Sequence, residues 1–334
     1  MSKPKVLFIG GTGVISTSCV RQAVSQGLDI TVLNRGNTSL RQLPPEVPVV
    51  AGDVADPAQL RAALGDSEFD VVVNWVNFTP DQVQRDLELF AGRTGQYVFI
   101  SSASAYQTPP LRMPVLESTP LKNPFWEYSR NKIACEELLI NAYREDDFPV
   151  TIVRPSHTYD QTKVPFNGGW TTVERMRAGK PVVVHGDGTS LWTITHSRDF
   201  AVGFTGLLGR AEAIGEAYHI TGDEAPSWNQ IYQEAASAAG VDAPQLVHVP
   251  SDAIMANDPG WGAALLGDKA HTMIFDNAKI KSLVPTFGQS PIPFRQGIAE
   301  VIEWFDAHPD QKVVDAEFDA LSDRLVEAYA PRTV

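Results

Sequence analysis

Gly10-Gly11-Thr12-Gly13 cuts off a short apolar run, Val6–Ile9, and a helical pattern from about Val14 to Gln26 follows at once. A chain turns that tightly where side chains are missing, and a helix beginning at the turn aims unpaired N–H groups and a partial positive charge back at it. Strand, glycine turn and helix in this order make a cradle for a pyrophosphate and open a βαβ unit, which favours a dinucleotide loop over an ordinary tight turn. Gly10, Thr12, Gly13, Val14 and Ile15 are its expected contacts. Ser16 stands where such loops usually carry a third glycine, which should loosen helix-to-strand packing there while leaving the cradle.

The first half repeats the alternation. Strands are expected at Ile30–Leu33, Val47–Ala51, Asp70–Val73, Tyr97–Ile100 and Pro149–Val153, with helices after Asp56-Pro57 and over Asp81–Arg93 and Pro124–Arg144. Asp56 is placed to cap its helix, and Pro57 falls in the first turn, where a missing N–H costs little. Nearly continuous apolar strands fit a sheet covered on both faces. Past about residue 160 the regularity fades into isolated strands, Val182–His185 and Tyr218–Ile220, and late helices near Asn229–Ala239, Ile298–His308 and Ala316–Ala328, with Pro285–Pro293 a surface connection. The expected fold class is α/β, a Rossmann-type doubly wound parallel sheet with a smaller C-terminal substrate-binding domain. Residues 1–160 plus about 190–222 are assigned to the dinucleotide domain, and about 161–189 and 223–334 to the substrate region.

The second strand ends in Asn34-Arg35, where an acidic residue would accept hydrogen bonds from an adenine-ribose 2′-hydroxyl. Asn34 does not repel a 2′-phosphate and Arg35 supplies a planar cation, so NADP(H) is favoured and NAD(H) remains possible. After the third strand, Asp53 and Val54 are placed to meet the adenine edge; capping a turn is the other role open to Asp53.

Tyr128 and Lys132 lie one turn apart on one face of the long helix. A free phenol has a pKa of about 10, and acid/base work near neutrality needs it lowered by roughly 3 units, or about 4 kcal/mol. A nearby ammonium supplies part of that pull. The preceding strand ends in Ser101-Ser102-Ala103-Ser104, and the carboxyl end of a strand in an open parallel sheet is where ligands bind.

With the glycine turn, the serine-bearing strand end and the Tyr-to-Lys helix in this order, the chain resembles the short-chain dehydrogenase/reductase superfamily, in its extended epimerase/dehydratase-like branch. Arg154-Pro155-Ser156-His157-Thr158-Tyr159, Val184-His185-Gly186-Asp187-Gly188-Thr189, Arg198-Asp199-Phe200 and Ile298–Trp304 resemble that branch too. The resemblance implies hydride transfer at a secondary alcohol or ketone carbon, with Tyr128 as acid/base, Lys132 as its electrostatic partner and ribose ligand, and Ser102, or less strongly Ser104, as the hydroxyl donor. Trp75 and Asn77 stand where the family has a small Ala-rich turn, which implies a remodelled wall. Pro155 and Ser156 fall on the nicotinamide side, and His157 is either a substrate contact or a structural hydrogen-bonder. After Gly186-Asp187-Gly188, nucleotide-sugar members carry a diphosphate-gripping arginine, whereas this chain has Trp192. The indole either faces an unphosphorylated or non-nucleotide substrate or is simply core, with any diphosphate held by Arg175 or Arg177.

The charge balance of 27 basic against 40 acidic side chains, a net −13, would repel a phosphate backbone, so no nucleic-acid partner is expected, RNA included. No apolar run reaches the length of a membrane span and no secretion leader is read, so no membrane partner is expected and the chain is expected in the cytoplasm. Cys19 and Cys135 make neither a disulfide framework nor a zinc site, and the scattered histidines give no metal site. A small-molecule substrate is expected, and a homodimer through Asp81–Arg93 and Pro124–Arg144, helices that pair across subunits in many extended relatives. The rival reading is a non-catalytic dinucleotide sensor or scaffold; retention of both Tyr128 and Lys132 disfavours it.

Overall fold

The computed structural model describes residues 3–36, 40–65 and 67–330; Met1 and Ser2, at the head of the segment read for a leader, and the last four residues of the substrate region lie outside them. Its strands are β1 (Lys5–Ile9), β2 (Asp29–Asn34), β3 (Val49–Ala51), β4 (Phe69–Asn74), β5 (Thr94–Ile100), β6 (Val150–Pro155), β7 (His157–Tyr159), β8 (Val182–His185), β9 (Ile194–His196), β10 (Ala217–Ile220) and β11 (Leu246–Val249). Seven of them form one parallel sheet in the order β10-β6-β5-β4-β1-β2-β3, and β7·β9 and β8·β11 form two small parallel pairs. The chain leaves β1 toward β2 and β3, then crosses back to β4, so the order reverses between β1 and β4, and a crevice opens at the carboxyl ends of that pair.

Alternation along β1 builds both layers. Val6 and Phe8 pack with helices α1 (Ser16–Ser25) and, further along the chain, Ser197–Thr205 on one face. Leu7 and Ile9 face the other way, onto α2 (Pro57–Leu64), α3 (Pro80–Phe90) and α4 (Glu127–Asp146). A third core, with Trp170, Trp192, Trp228, Phe294 and Phe305, binds the small strand pairs to the late helices. Both cysteines are free and buried, one in α1 and one in α4.

Three local expectations shift for physical reasons. The third strand starts at Val49 rather than Val47, because Pro48 offers only its carbonyl, to Val32, and the Val47 N–H turns back to Pro44. Helix α4 starts at Glu127, three residues after Pro124, because Asn123 Oδ1 takes the N–H groups of Phe125 and Trp126. Ser16 does not loosen the packing. It is buried, its Oγ accepts from the Gly13 N–H at 2.8 Å, and the close approach falls at Gly11, where a Cβ would lie 2.8 Å from Val32.

A buried charge cluster fixes the carboxyl end of β5 against α4. Glu136 of α4 accepts from Arg154 Nε (2.9 Å) and Nη2 (2.5 Å) of β6 and from Ser101 Oγ (2.5 Å), while Arg154 also donates to the Tyr106 hydroxyl (3.1 Å). Removing one member leaves the other charge buried and unpaired. Glu136→Ala is therefore expected to cost about 3–5 kcal/mol in urea unfolding; a loss under about 1 kcal/mol would show that the cluster does not hold these elements together.

Candidate active site

The crevice at the β1/β4 reversal is a cleft of about 450 Å³. Its floor is the glycine loop, with Gly10, Thr12, Gly13, Val14, Ile15 and Ser16 all on its wall. Gly10 has φ +88°, and a Cβ there would sit 2.6 Å from Val76 Cγ1, so the backbone itself forms the surface. Asn34, exposed Arg35, Gly52 and Val54 line one end, and Arg35 pairs with no carboxylate among the described residues. Asp53 does not line the cleft; its Oδ1 accepts from the Ala55 N–H at 2.9 Å, the turn-capping alternative. Trp75 lines the wall with its ring 4.9 Å from Phe204, and its indole N–H has no partner among the described residues.

Tyr128, Lys132, Pro155 and Ser101 close the other end. Ser102 lies beside Tyr128, close enough to lower the proton affinity of the phenol, and 2.8 Å from Ser104 Oγ, which in turn accepts from Ser129 Oγ at 2.7 Å, so a run of hydroxyls stands next to the phenol. Lys132 is buried, donating to the carbonyls of Asn77 (2.5 Å) and Ile100 (2.8 Å), with its Nζ 5.8 Å from the centre of the Tyr128 ring. Burial brings its pKa down to about 8. Asn77 lines neither cavity: its side chain is held by Asp86 (2.8 Å), which also takes the Tyr97 hydroxyl (2.7 Å) and Asn74 (2.5 Å). Burial raises the Asp86 carboxyl despite these donors.

Beyond Tyr128 lies a second cavity of about 390 Å³. Ser102, Ser104, Tyr128, Pro155, Ser156, His157 and Trp192, all singled out in the sequence, meet here. His157 Nε2 lies 2.8 Å from the Pro165 carbonyl, and burial, then the charges of Lys269 and Lys163, hold the ring neutral. Sequence reasoning missed Trp126, Lys163, Asp268 and Lys269, which also line it. Asp268 and Lys269 sit on a π-helical turn, Leu265–Lys269, in the irregular half, where no spacing marks them. Asn123 Nδ2 ties that turn (Gly267 carbonyl, 2.6 Å) to the serine segment (Ser104 carbonyl, 2.9 Å). Burial raises the pKa of Tyr128; the Ser102 hydrogen bond opposes this, and the Asp268 charge adds to it. Arg175 and Arg177, the alternative phosphate ligands, are engaged elsewhere, with Asp319 and Asp306.

The cleft fits a dinucleotide on its own terms: a loop with no room for a Cβ at Gly10 or Gly11, and, among the described residues, an unpartnered Trp75 indole N–H and an Arg35 guanidinium with no carboxylate. Among the described residues no group of His, Cys, Asp and Glu could hold a metal, and no helix is long and apolar enough to cross a membrane.

The model of the NAD dependent epimerase/dehydratase family matches residues 6–221. The chain is 26% identical over 259 residues to the chloroplast stem-loop binding protein of 41 kDa b from Arabidopsis thaliana, covering 74% of this chain and 66% of that protein. It is also 26% identical over 328 residues to the 2'-dehydrokanamycin reductase of Streptomyces kanamyceticus, covering 95% and 88%. Among solved structures, dTDP-glucose 4,6-dehydratase from Bacillus anthracis in complex with NAD superimposes with a TM-score of 0.72 at 19% identity, over 92% of this chain and 98% of that one.

Burial pushes the Asp268 carboxyl up to about 6, against about 4 for a free one. Between these values the native state binds more protons than the unfolded chain, so stability falls as pH rises through that window. Asp268→Asn removes the fall. Its urea midpoint should match wild type below pH 4 and exceed it at pH 7; an equal offset at both pH values would contradict the assignment.

Proposed function

Because this chain belongs to the NAD dependent epimerase/dehydratase family, we propose that it is an NAD(P)-dependent oxidoreductase acting at a secondary alcohol or ketone carbon of a sugar-like or other small polar substrate. The observation that carries this reading is that Tyr128 lines both cavities, with Ser102 beside it on the substrate side and Lys132 behind it. A nicotinamide dinucleotide, held by the glycine loop, Arg35, Val54, Trp75, Lys132 and Pro155, supplies the hydride acceptor or donor. Tyr128 takes the hydroxyl proton of the alcohol, or returns it to the ketone oxygen. Ser102 donates to that oxygen and fixes its position, and the hydroxyls of Ser104 and Ser129 continue the chain behind it. Lys132 sets a positive charge beside the phenol, opposing the burial that otherwise keeps it neutral.

The substrate is gripped by residues of about 161–189 and 223–334, joined at the cavity by Trp192 of the 190–222 segment, which presents an indole rather than an arginine. This favours a reductase, or an unusual sugar or polyol substrate, over a standard nucleotide-sugar epimerase. The assembled hydroxyl chain and buried lysine favour catalysis over a purely scaffolding role. The unpaired guanidinium of Arg35 supports NADP(H) as the preferred cofactor.

Tyr128→Phe should keep dinucleotide affinity and lose about 10²–10⁴-fold in turnover on a panel of cyclic secondary alcohols and ketones; a near-wild-type rate would refute the proton-transfer role. Arg35→Ala should weaken NADPH binding by about tenfold in calorimetric titration and leave NADH unchanged. Equal losses for both would remove the basis for the NADP(H) preference.

A further inference from the structure

The charges of the second cavity are at odds with the rest of the molecule. The chain carries a net −13, yet two lysines line this cavity, Lys269 and Lys163, the latter also on the wall of the dinucleotide cleft. Most of the protein's other buried or half-buried cations are spent on close carboxylates: Arg154 on Glu136, Arg175 on Asp319, Arg177 on Asp306 and Arg41 on Asp160. Lys269 is held more loosely: its carboxylate partner, Asp268, lies 3.6 Å away, farther than in any of those four pairs, and stands on the same cavity wall. Two cations sharing one carboxylate on this wall repel each other: after burial, the larger effect at both groups, the charge of Lys269 lowers the proton affinity of Lys163 and of His157.

The ammonium is also held in place. Its Nζ lies 5.3 Å from the centre of the Trp126 ring and 5.9 Å from that of Trp192. The Lys269 carbonyl accepts from Trp228 Nε1 at 3.0 Å and lies 3.0 Å from His185 Nε2. One residue pair earlier, a Cβ on Gly267 would fall 2.7 Å from Trp126 Cβ, so the turn is pressed against the segment that leads into the catalytic helix. The Trp192 ring lies under the lysine, and its buried indole N–H has no partner among the described residues. A neutral polyol would need acceptors as well as donors, and the one charged acceptor here already faces Lys269.

We propose that Lys269, with Lys163, forms an anion-gripping end of the substrate cavity, and that the substrate bears a carboxylate or phosphoryl group there. The inference rests on the oxidoreductase reading of the site. It makes Lys269 a specificity-determining residue and Asp268 the counter-ion that holds the ammonium until a ligand anion takes its place.

The test uses protein saturated with NADP⁺ and three probes, D-glucuronate, D-glucose 6-phosphate and D-glucose, titrated by calorimetry and by the fluorescence of the tryptophans beside Lys269. At least one anionic sugar should bind about tenfold or more tightly than glucose. A response to glucuronate assigns a carboxylate, and one to the phosphate ester assigns a phosphoryl group. Lys269→Met should erase the difference without changing NADP⁺ affinity, since Lys269 does not line the dinucleotide cleft, and Lys269→Arg should keep it. Should the Met variant fail to fold, Lys269→Gln takes its place. The proposal is overturned if glucose binds as well as both anions, if no probe binds the NADP⁺-loaded protein, or if the preference survives loss of the lysine charge. Failure of the wild-type protein to bind NADP⁺ or NAD⁺ at all would instead sink the oxidoreductase reading.

Discussion

The buried ammonium of Lys132 is the constraint on which the rest of the site depends. A charge taken out of water is tolerated only where dipoles replace its hydration, and here the carbonyls of Asn77 and Ile100 do so. One lies in the turn after β4 and the other at the end of β5, so the lysine holds the cleft wall, the serine-bearing strand end and helix α4 in one arrangement. Asn77 is fixed in turn by Asp86, which Tyr97 and Asn74 also serve. The aromatic rings of Phe78 and Phe99, 4.6 Å and 4.9 Å from the ammonium, complete its surroundings. The polar stack running from α3 to α4 is thus a fixed support for the residue that stands behind the phenol.

Two parts of the chain flank Tyr128: Lys132, its Nζ 5.8 Å from the ring centre, belongs to the parallel-sheet half, while Asp268 comes from the π-helical turn, and its charge adds to the burial that raises the proton affinity of the phenol. Neutral phenol is therefore the resting form, and a positive charge gained on either side favours the phenolate. Asn123 joins the two influences: one buried amide spans the serine segment, the first turn of α4 and the π-helical turn. The π-helical turn is thereby tied to the serine segment beside Tyr128.

What the sequence could reveal followed physical periodicity. Glycines between a strand and a helix, apolar strands covered on both faces and a Tyr-to-Lys step of one helical turn are local patterns, so the parallel sheet and the placement of Tyr128, Lys132, Ser102 and the glycine loop were all readable before the structure. The fate of Asn77 was not, because the direction of its side chain is set by Asp86, nine residues on and on another element. Asp53 reads locally as an acceptor at the adenine edge, with turn capping the lesser alternative, and the structure shows the cap, its Oδ1 accepting from the Ala55 N–H. Lys269 was least readable: it reaches the cavity on a π-helical turn whose position depends on Asn123, His185 and Trp228, contacts of long sequence separation that leave no spacing to find.

The central claim is that the crevice beside Tyr128 holds a nicotinamide dinucleotide. Native mass spectrometry of the purified protein, followed by titration with NADPH and NADH while tryptophan emission is recorded, tests it most directly, because Trp75 lies on the cleft wall. The account predicts a single dinucleotide per chain, carried through purification or bound on titration, with Trp75 emission quenched. A protein that binds neither dinucleotide, with unchanged emission, would contradict it.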